Sequence, residues 1–132
     1  MRRFILHPDG VYVQKPVVLV IDDEDMNREV CRDALELDGY EVLTATGTRQ
    51  AVELLSTRSV DAIVCDMHMP HNGVRLFEHL LKKFPELAGR FLFVTGDPSQ
   101  ALALDHMPKQ APCLFRPFPI RTLLDAVRSA LA

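Results

Sequence analysis

Cysteine, long apolar runs and clustered positive charge are all scarce in this chain of 132 residues. The three cysteines, Cys31, Cys65 and Cys113, are odd in number and far apart, with no CxxC pair, which argues against both a disulfide framework and a zinc knuckle. Such usage fits a reducing, cytoplasmic setting. No apolar run approaches the ~20 residues that span a bilayer, and the opening MRRFILHPDG has too short an apolar core for a secretory signal. Membrane contact by this domain is therefore not expected. Net charge is −3, and beyond Arg2-Arg3 and Lys82-Lys83 there is no Lys/Arg cluster, so a nucleic-acid surface is not expected either. Internal repeats and low-complexity tracts are also lacking. The partners that remain are proteins.

What is present describes one ordinary domain, with 48% hydrophobic and 25% charged residues. A chain of this size hides roughly two-thirds of the surface its unfolded form exposes, enough to stand without staples. Five short apolar runs, VVLVI, EVLTA, AIVC, FLFV and CLF, read as strands. The first, third and fourth lack strict alternation, as parallel strands covered on both faces do. Helical patterns lie between them. Asp25 reads as the N-cap of the first, with an apolar stripe of Met26, Val30 and Leu37 beside Cys31 and Leu35, closed by Gly39. Thr48 reads as the cap of a second helix running through Leu55. A third follows Asn72-Gly73, carrying Phe77, Leu80, Leu81 and Phe84 on one side and stopping at Pro85. A short fourth is predicted near Ser99 to His106, closed by Pro108. In the last, Ile120, Leu123, Leu124, Val127 and Leu131 repeat at helical spacing. Strands alternating with helices imply a doubly wound α/β domain with a parallel sheet over residues 15–132. Residues 1–14 stand outside that pattern as an N-terminal extension that reads as a small hairpin about Pro-Asp-Gly, or equally as a remnant of an upstream segment or a disordered start.

In an open parallel sheet, chemistry collects beyond the carboxyl ends of the strands. There the sequence places Asp22-Asp23, Asp66, Thr95 and Arg116, one group at each of four strand ends. Any one of them alone reads as an ordinary loop residue. Together they form an acidic cluster that a hard divalent cation such as Mg²⁺ would relieve, and a setting suited to a phosphoryl group landing on an aspartate.

The order IDDED, CDMHMP..G, VTGD and FRPF resembles the receiver domain of two-component response regulators, from residue 17 to residue 131. The resemblance implies a flavodoxin-like fold of five parallel strands in the order 2-1-3-4-5, with helices on both faces. It implies Asp66 as phosphoacceptor and Mg²⁺ (or Mn²⁺) held by Asp22, Asp23, Asp66 and the backbone carbonyl of His68. Thr95 would bind the phosphoryl oxygens and switch the face made by the fourth helix, fifth strand and last helix, which could also form a homodimer. His68 and Asp97 would set phosphoryl lifetime. The implied donor is a sensor histidine kinase or histidine phosphotransfer protein, with helix 1 and the loops around the site as docking surface. Such a domain is a signalling module, not a conventional enzyme. The stretch PELAGRFLFVTGDP is most similar to receivers of hybrid sensor histidine kinases.

Two positions depart from the family pattern. Arg116 stands where lysine is usual, and a planar guanidinium does not reproduce a compact ammonium. Cys113, at the switch position, replaces an aromatic or histidine and offers no ring to rotate. These departures motivate an alternative, a pseudo-receiver that only binds proteins. A phosphatase of the haloacid-dehalogenase type would need a second Asp two residues after the nucleophile, where this chain has His68. A transition-metal site through His68 and His71 is disfavoured by the proline between them, and His7, His79 and His106 read as surface residues.

Overall fold

The computed structural model of the chain describes residues 4–6, 8–68, 73–97, 99 and 111–132. A short antiparallel hairpin, β1 (Phe4–Leu6) and β2 (Tyr12–Gln14), precedes the main sheet, with Leu6 opposite Tyr12. The sheet is built from β3 (Val17–Ile21), β4 (Glu41–Ala45), β5 (Ala62–Asp66), β6 (Phe91–Thr95) and β7 (Cys113–Phe115). Its order is β4-β3-β5-β6-β7 and all pairings are parallel, which is 2-1-3-4-5 counted from β3. Helices α1 (Asp25–Leu37), α2 (Thr48–Thr57), α3 (Gly73–Lys83) and α4 (Ile120–Leu131) lie between or after the strands, and a 3-10 turn spans Pro85–Leu87. Of the predicted fourth helix only Ser99 is described; the rest, with His7, His71, Asn72 and His106, lies outside the described residues.

Every residue of β3, β5 and β6 is buried, because a central strand covered on both faces has no solvent side to alternate with. Successive side chains go to opposite layers. Leu19, Ile21, Ile63, Cys65, Phe91 and Phe93 pack with Leu76, Phe77 and Leu80 of α3 and Ala51 and Leu55 of α2. Val18, Val20, Val64, Leu92 and Val94 pack with Leu35 of α1 and Leu123 and Val127 of α4. Phe77 sits edge-on to Phe91 and Phe93, with ring centroids 4.7 and 5.3 Å away. Each such ring, fully buried, contributes about 1.5–3 kcal/mol.

Helix α1 corrects part of the stripe expected from sequence. Leu35 is buried and Cys31 half-buried, but Met26, Val30 and Leu37 are exposed, Leu37 at 91%. The two rows are adjacent on one helix, and the sheet covers only the row that faces Val18 and Val20. The caps also shift by one residue. Glu24, not Asp25, precedes α1, because the Asp22 carboxylate accepts the Glu24 N–H and turns the chain before the helix begins. Gly47 precedes α2, leaving Thr48 as its first helical residue. Gly39 does end α1: at φ 97° it lets the Tyr40 N–H reach the Leu35 carbonyl at 3.1 Å. Among the described residues no helix is long and apolar enough to cross a membrane.

Candidate functional site

Sheet register carries four functional groups to one edge. Beyond the paired residues, the Asp22 N–H donates to the Ala45 carbonyl at 3.1 Å, Met67 N–H to Val94 at 2.9 Å and Arg116 N–H to Thr95 at 2.8 Å. The ladder thus fixes the backbone of the site itself. Asp22 and Asp66 are each only 4% exposed and Thr95 is fully buried, whereas Asp23 is exposed. Carboxylate oxygens of Asp22, Asp23 and Asp66 all lie within 4.8 Å of one another.

Arg116 reaches into this cluster with both arms. Its Nη2 donates to Asp22 Oδ2 at 3.2 Å, and its Nη1 lies 3.6 Å from Asp66 Oδ1. Backbone donors hold the same two acids: Glu24 N–H on Asp22 Oδ1 at 2.9 Å and His68 N–H on Asp66 Oδ1 at 3.0 Å. Arg28, from α1, donates to the Asp22 carbonyl at 2.9 Å. The Arg116–Pro117 peptide is cis.

Burial pushes the Asp22 carboxyl up to about 6. The Glu24 N–H pulls it down, the Asp66 charge raises it, Arg116 lowers it and Asp23 raises it again. Three carboxylates within 4.8 Å, two of them buried, are the donor set a small hard cation takes. Thiol ligands are not on offer. Burial holds the Cys31 thiol up at about 12 and raises those of Cys65 and Cys113, so none is poised as a thiolate.

The remaining predicted residues surround this centre. Thr95 donates its hydroxyl to the Asp97 carbonyl at 3.2 Å and accepts the Asp97 N–H at 3.0 Å. Asp97 is exposed, and its Oδ1 accepts from the Ser99 hydroxyl and N–H at 2.8 and 3.0 Å, which holds the carboxyl below its usual range, with the nearby His68 adding a smaller pull. An open cleft is lined by Asp23, Glu24, Asp66, His68, Gly96, Asp97 and Arg116. Cys113 is apart from it, with its sulfur 3.9 Å from that of Met67.

Sequence reasoning missed two contributors: Glu24 and Arg28 act through backbone contacts that no motif advertises. The glycine of CDMHMP..G, Gly73, has a spatial role: a Cβ there would meet the Met67 Cα at 2.7 Å, so only glycine lets α3 start against the strand that carries Asp66. Beside the acidic cleft runs an apolar groove between α1 and α4, lined by Met26, Val30, Cys31, Phe118, Ile120 and Leu123 and reaching Asp66 and Arg116.

The family model for the response regulator receiver domain matches residues 18–128. The C4-dicarboxylate transport transcriptional regulatory protein DctD of Pseudomonas aeruginosa is 34% identical over 128 residues, 96% of this chain and 27% of that protein. Sensor histidine kinase RcsC of Salmonella typhi is 31% identical over 121 residues, 88% of this chain and 12% of that protein. The chain thus spans well under two-thirds of either relative. Among solved structures, a response regulator receiver domain protein from Clostridium thermocellum matches with a TM-score of 0.76 at 30% identity, covering 88% of this chain and 94% of that one. A Vibrio cholerae chemotaxis protein matches with a TM-score of 0.80 at 25% identity, covering 89% and 99%. The 2-1-3-4-5 sheet with its acidic edge and the match across residues 18–128 converge: this chain belongs to the receiver-domain family of two-component response regulators.

Proposed function

We propose that this domain accepts a phosphoryl group on Asp66 from a phosphohistidine of a sensor histidine kinase or phosphotransfer protein. The observation that carries this reading is the packing of three carboxylates within 4.8 Å, two of them buried, with an arginine spanning the buried pair. A solvated loop would not bury two acids side by side. The step is a displacement at phosphorus: an Asp66 carboxylate oxygen forms the new P–O bond as the P–N bond breaks, and the departing imidazole keeps the electron pair. Asp23, Asp66 and the His68 carbonyl would hold Mg²⁺ or Mn²⁺, with Asp22 beside them. When bound, the ion would neutralise charge on the transferring phosphoryl oxygens.

The chain's own residues supply the rest. Arg116 presents a second cation to the new phosphoryl group. Thr95 exchanges the Asp97 carbonyl for a phosphoryl oxygen, a contact available only after phosphorylation, which biases the surrounding loop toward a second arrangement. The surface that reads this out is the predicted fourth helix with β7 and α4, also the proposed homodimer face. Cys113 contributes no swinging ring to that switch. His68 and Asp97 flank the approach of water and so govern phosphoryl lifetime. The donor helix docks on α1 and its flanking loops, where exposed Met26 and Val30 rim the apolar groove that leads to Asp66. The domain works as a cytoplasmic signalling module within a relay, in the manner of a receiver joined to a sensor kinase.

Incubation with Mg²⁺ and acetyl phosphate followed by intact-mass measurement tests the reading. One added phosphoryl group, lost in Asp66→Asn and in EDTA, is the expected result. Unchanged mass with acetyl phosphate and with a phosphohistidine donor alike would contradict it and favour a module that binds proteins without acceptor chemistry.

A further inference from the structure

We infer that the N-terminal hairpin of one copy of this chain docks on the exposed face of α1 in a second copy, each chain lending its hairpin to the other. The contact is separate from the face made by β7 and α4, and it does not depend on acceptor chemistry at Asp66.

The hairpin is a sheet of its own, apart from the five-stranded one. Phe4 lies opposite Gln14 and Leu6 opposite Tyr12, and residues directly opposite in an antiparallel pair share a face. Phe4, Leu6 and Tyr12 therefore crowd one side, and they are 61, 61 and 69% exposed. Two strands alone are marginal in water and gain stability when such a face is packed. A second apolar surface waits on α1. Met26, Glu29, Val30, Asp33 and Leu37 follow the spacing i, i+3, i+4, i+7, i+11 and are all exposed. Met26 and Val30 also rim the groove beside α4, which offers an aromatic ring a concave seat.

Charge decides which surface takes which. The first sixteen residues carry Arg2, Arg3 and Lys15 against Asp9, in a chain whose net charge is −3. Two hairpins set face to face would bring like charges together. Helix α1 has the opposite balance, with Asp25, Glu29, Asp33 and Glu36 against Arg28 and Arg32. Both arginines are engaged locally: Arg28 with Asp25 and the Asp22 carbonyl, Arg32 within 3.9 Å of Asp33 and Glu36. An apolar row flanked by acids is the complement of an apolar hairpin flanked by cations.

Position favours exchange between copies. The Pro16 carbonyl, just beyond the hairpin, accepts the Glu41 N–H at 2.9 Å, so the hairpin leaves the domain near the Leu37 end of α1. A two-fold axis that sets two α1 helices antiparallel brings each hairpin to the Met26 end of its partner, about 20 Å along. Seating both would bury on the order of 1,000 Å², near the lower bound for a specific interface. Because α1 is also the donor surface proposed above, the pair would be closed to its donor; that consequence rests on the earlier reading, whereas the pairing does not.

Sedimentation velocity of the full chain over a concentration series tests the pairing. Wild type should pass from one chain to two as concentration rises, and salt should oppose it. Arg2→Glu with Arg3→Glu, and separately Glu29→Lys with Asp33→Lys, should each weaken association several-fold. An equimolar mixture of those two proteins should associate more tightly than either alone, because each reversed surface then meets its complement. Phe4→Ser with Tyr12→Ser should weaken it about tenfold or more. Association untouched by the α1 substitutions, or a mixture no tighter than its components, would assign the contact elsewhere and overturn the inference. A chain that stays monomeric at every concentration would overturn it too, and its binding to phosphatidylserine vesicles would then give the hairpin to a membrane surface.

Discussion

Ile21 and Asp22 are consecutive residues leaving β3, both almost wholly buried, and burial does opposite things to them. For Ile21 it is the favourable term: the side chain joins an apolar layer and loses no hydrogen bond. For Asp22 it is a cost that backbone N–H groups and Arg116 only partly offset, visible as a carboxyl pushed up to about 6. Cys65 and Asp66 repeat the contrast one strand over. The apolar strands form a frame rigid enough to hold acids where they would not settle unaided. Frame and edge should therefore answer differently to mutation.

The largest effect should come from the frame. Phe93→Ala empties part of the Phe77–Phe91–Phe93 cluster and should lower stability by about 3–5 kcal/mol in urea denaturation. A loss below 1 kcal/mol would mean the layer collapses around the gap.

At the edge stability depends on pH. An acid whose folded-state pKa lies above its unfolded value stabilises the fold only while protonated. The Asp22 contribution is thus complete below about 3.8 and gone once pH has risen through about 6. Relative to Asp22→Asn, the metal-free wild-type protein should gain about 2–3 kcal/mol as pH falls from 8 to 4. Parallel stability curves for the two proteins would deny that Asp22 is held at a cost.

Between frame and edge stands Gly73. Gly73→Ala should cost about 1–3 kcal/mol, because the clash is with the Met67 backbone rather than a flexible side chain, and it should slow phosphorylation of the adjacent Asp66. Thermal melts paired with acetyl phosphate reactions would measure both. The smallest change in stability belongs to the exposed row of α1. Met26→Ser with Val30→Ser should stay within about 0.5 kcal/mol of wild type per substitution. That variant should accept phosphate from acetyl phosphate normally yet slowly from a phosphohistidine protein. Equal slowing with both donors would place the row outside donor docking.

The same contrast explains what could be read in advance. Continuous apolar runs such as VVLVI and FLFV became fully buried central strands, because nothing else accommodates so unbroken a run in a domain this size. Acids at the ends of those runs were placed at one edge by the parallel topology alone. The exposed row of α1 was not legible: Met26, Val30 and Leu37 keep helical period as faithfully as Cys31 and Leu35, and periodicity does not say which of two adjacent rows the sheet will cover. Pairwise geometry was hidden as well. Arg116 was readable as a cation near the acids, but its span across Asp22 and Asp66 depends on the β7 exit, ninety-four residues from Asp22. Nor could sequence reveal that Gly73 is needed for space rather than for an unusual φ.

Reducing the phosphorylated protein with borohydride, which converts an aspartyl phosphate to homoserine, and sequencing the peptides by mass spectrometry tests the acceptor assignment most directly. Homoserine at position 66, and at no other acid of the cluster, is the predicted result. Homoserine at position 22 or 23 would contradict it, since the acceptor would then be a neighbouring acid of the cluster and not Asp66.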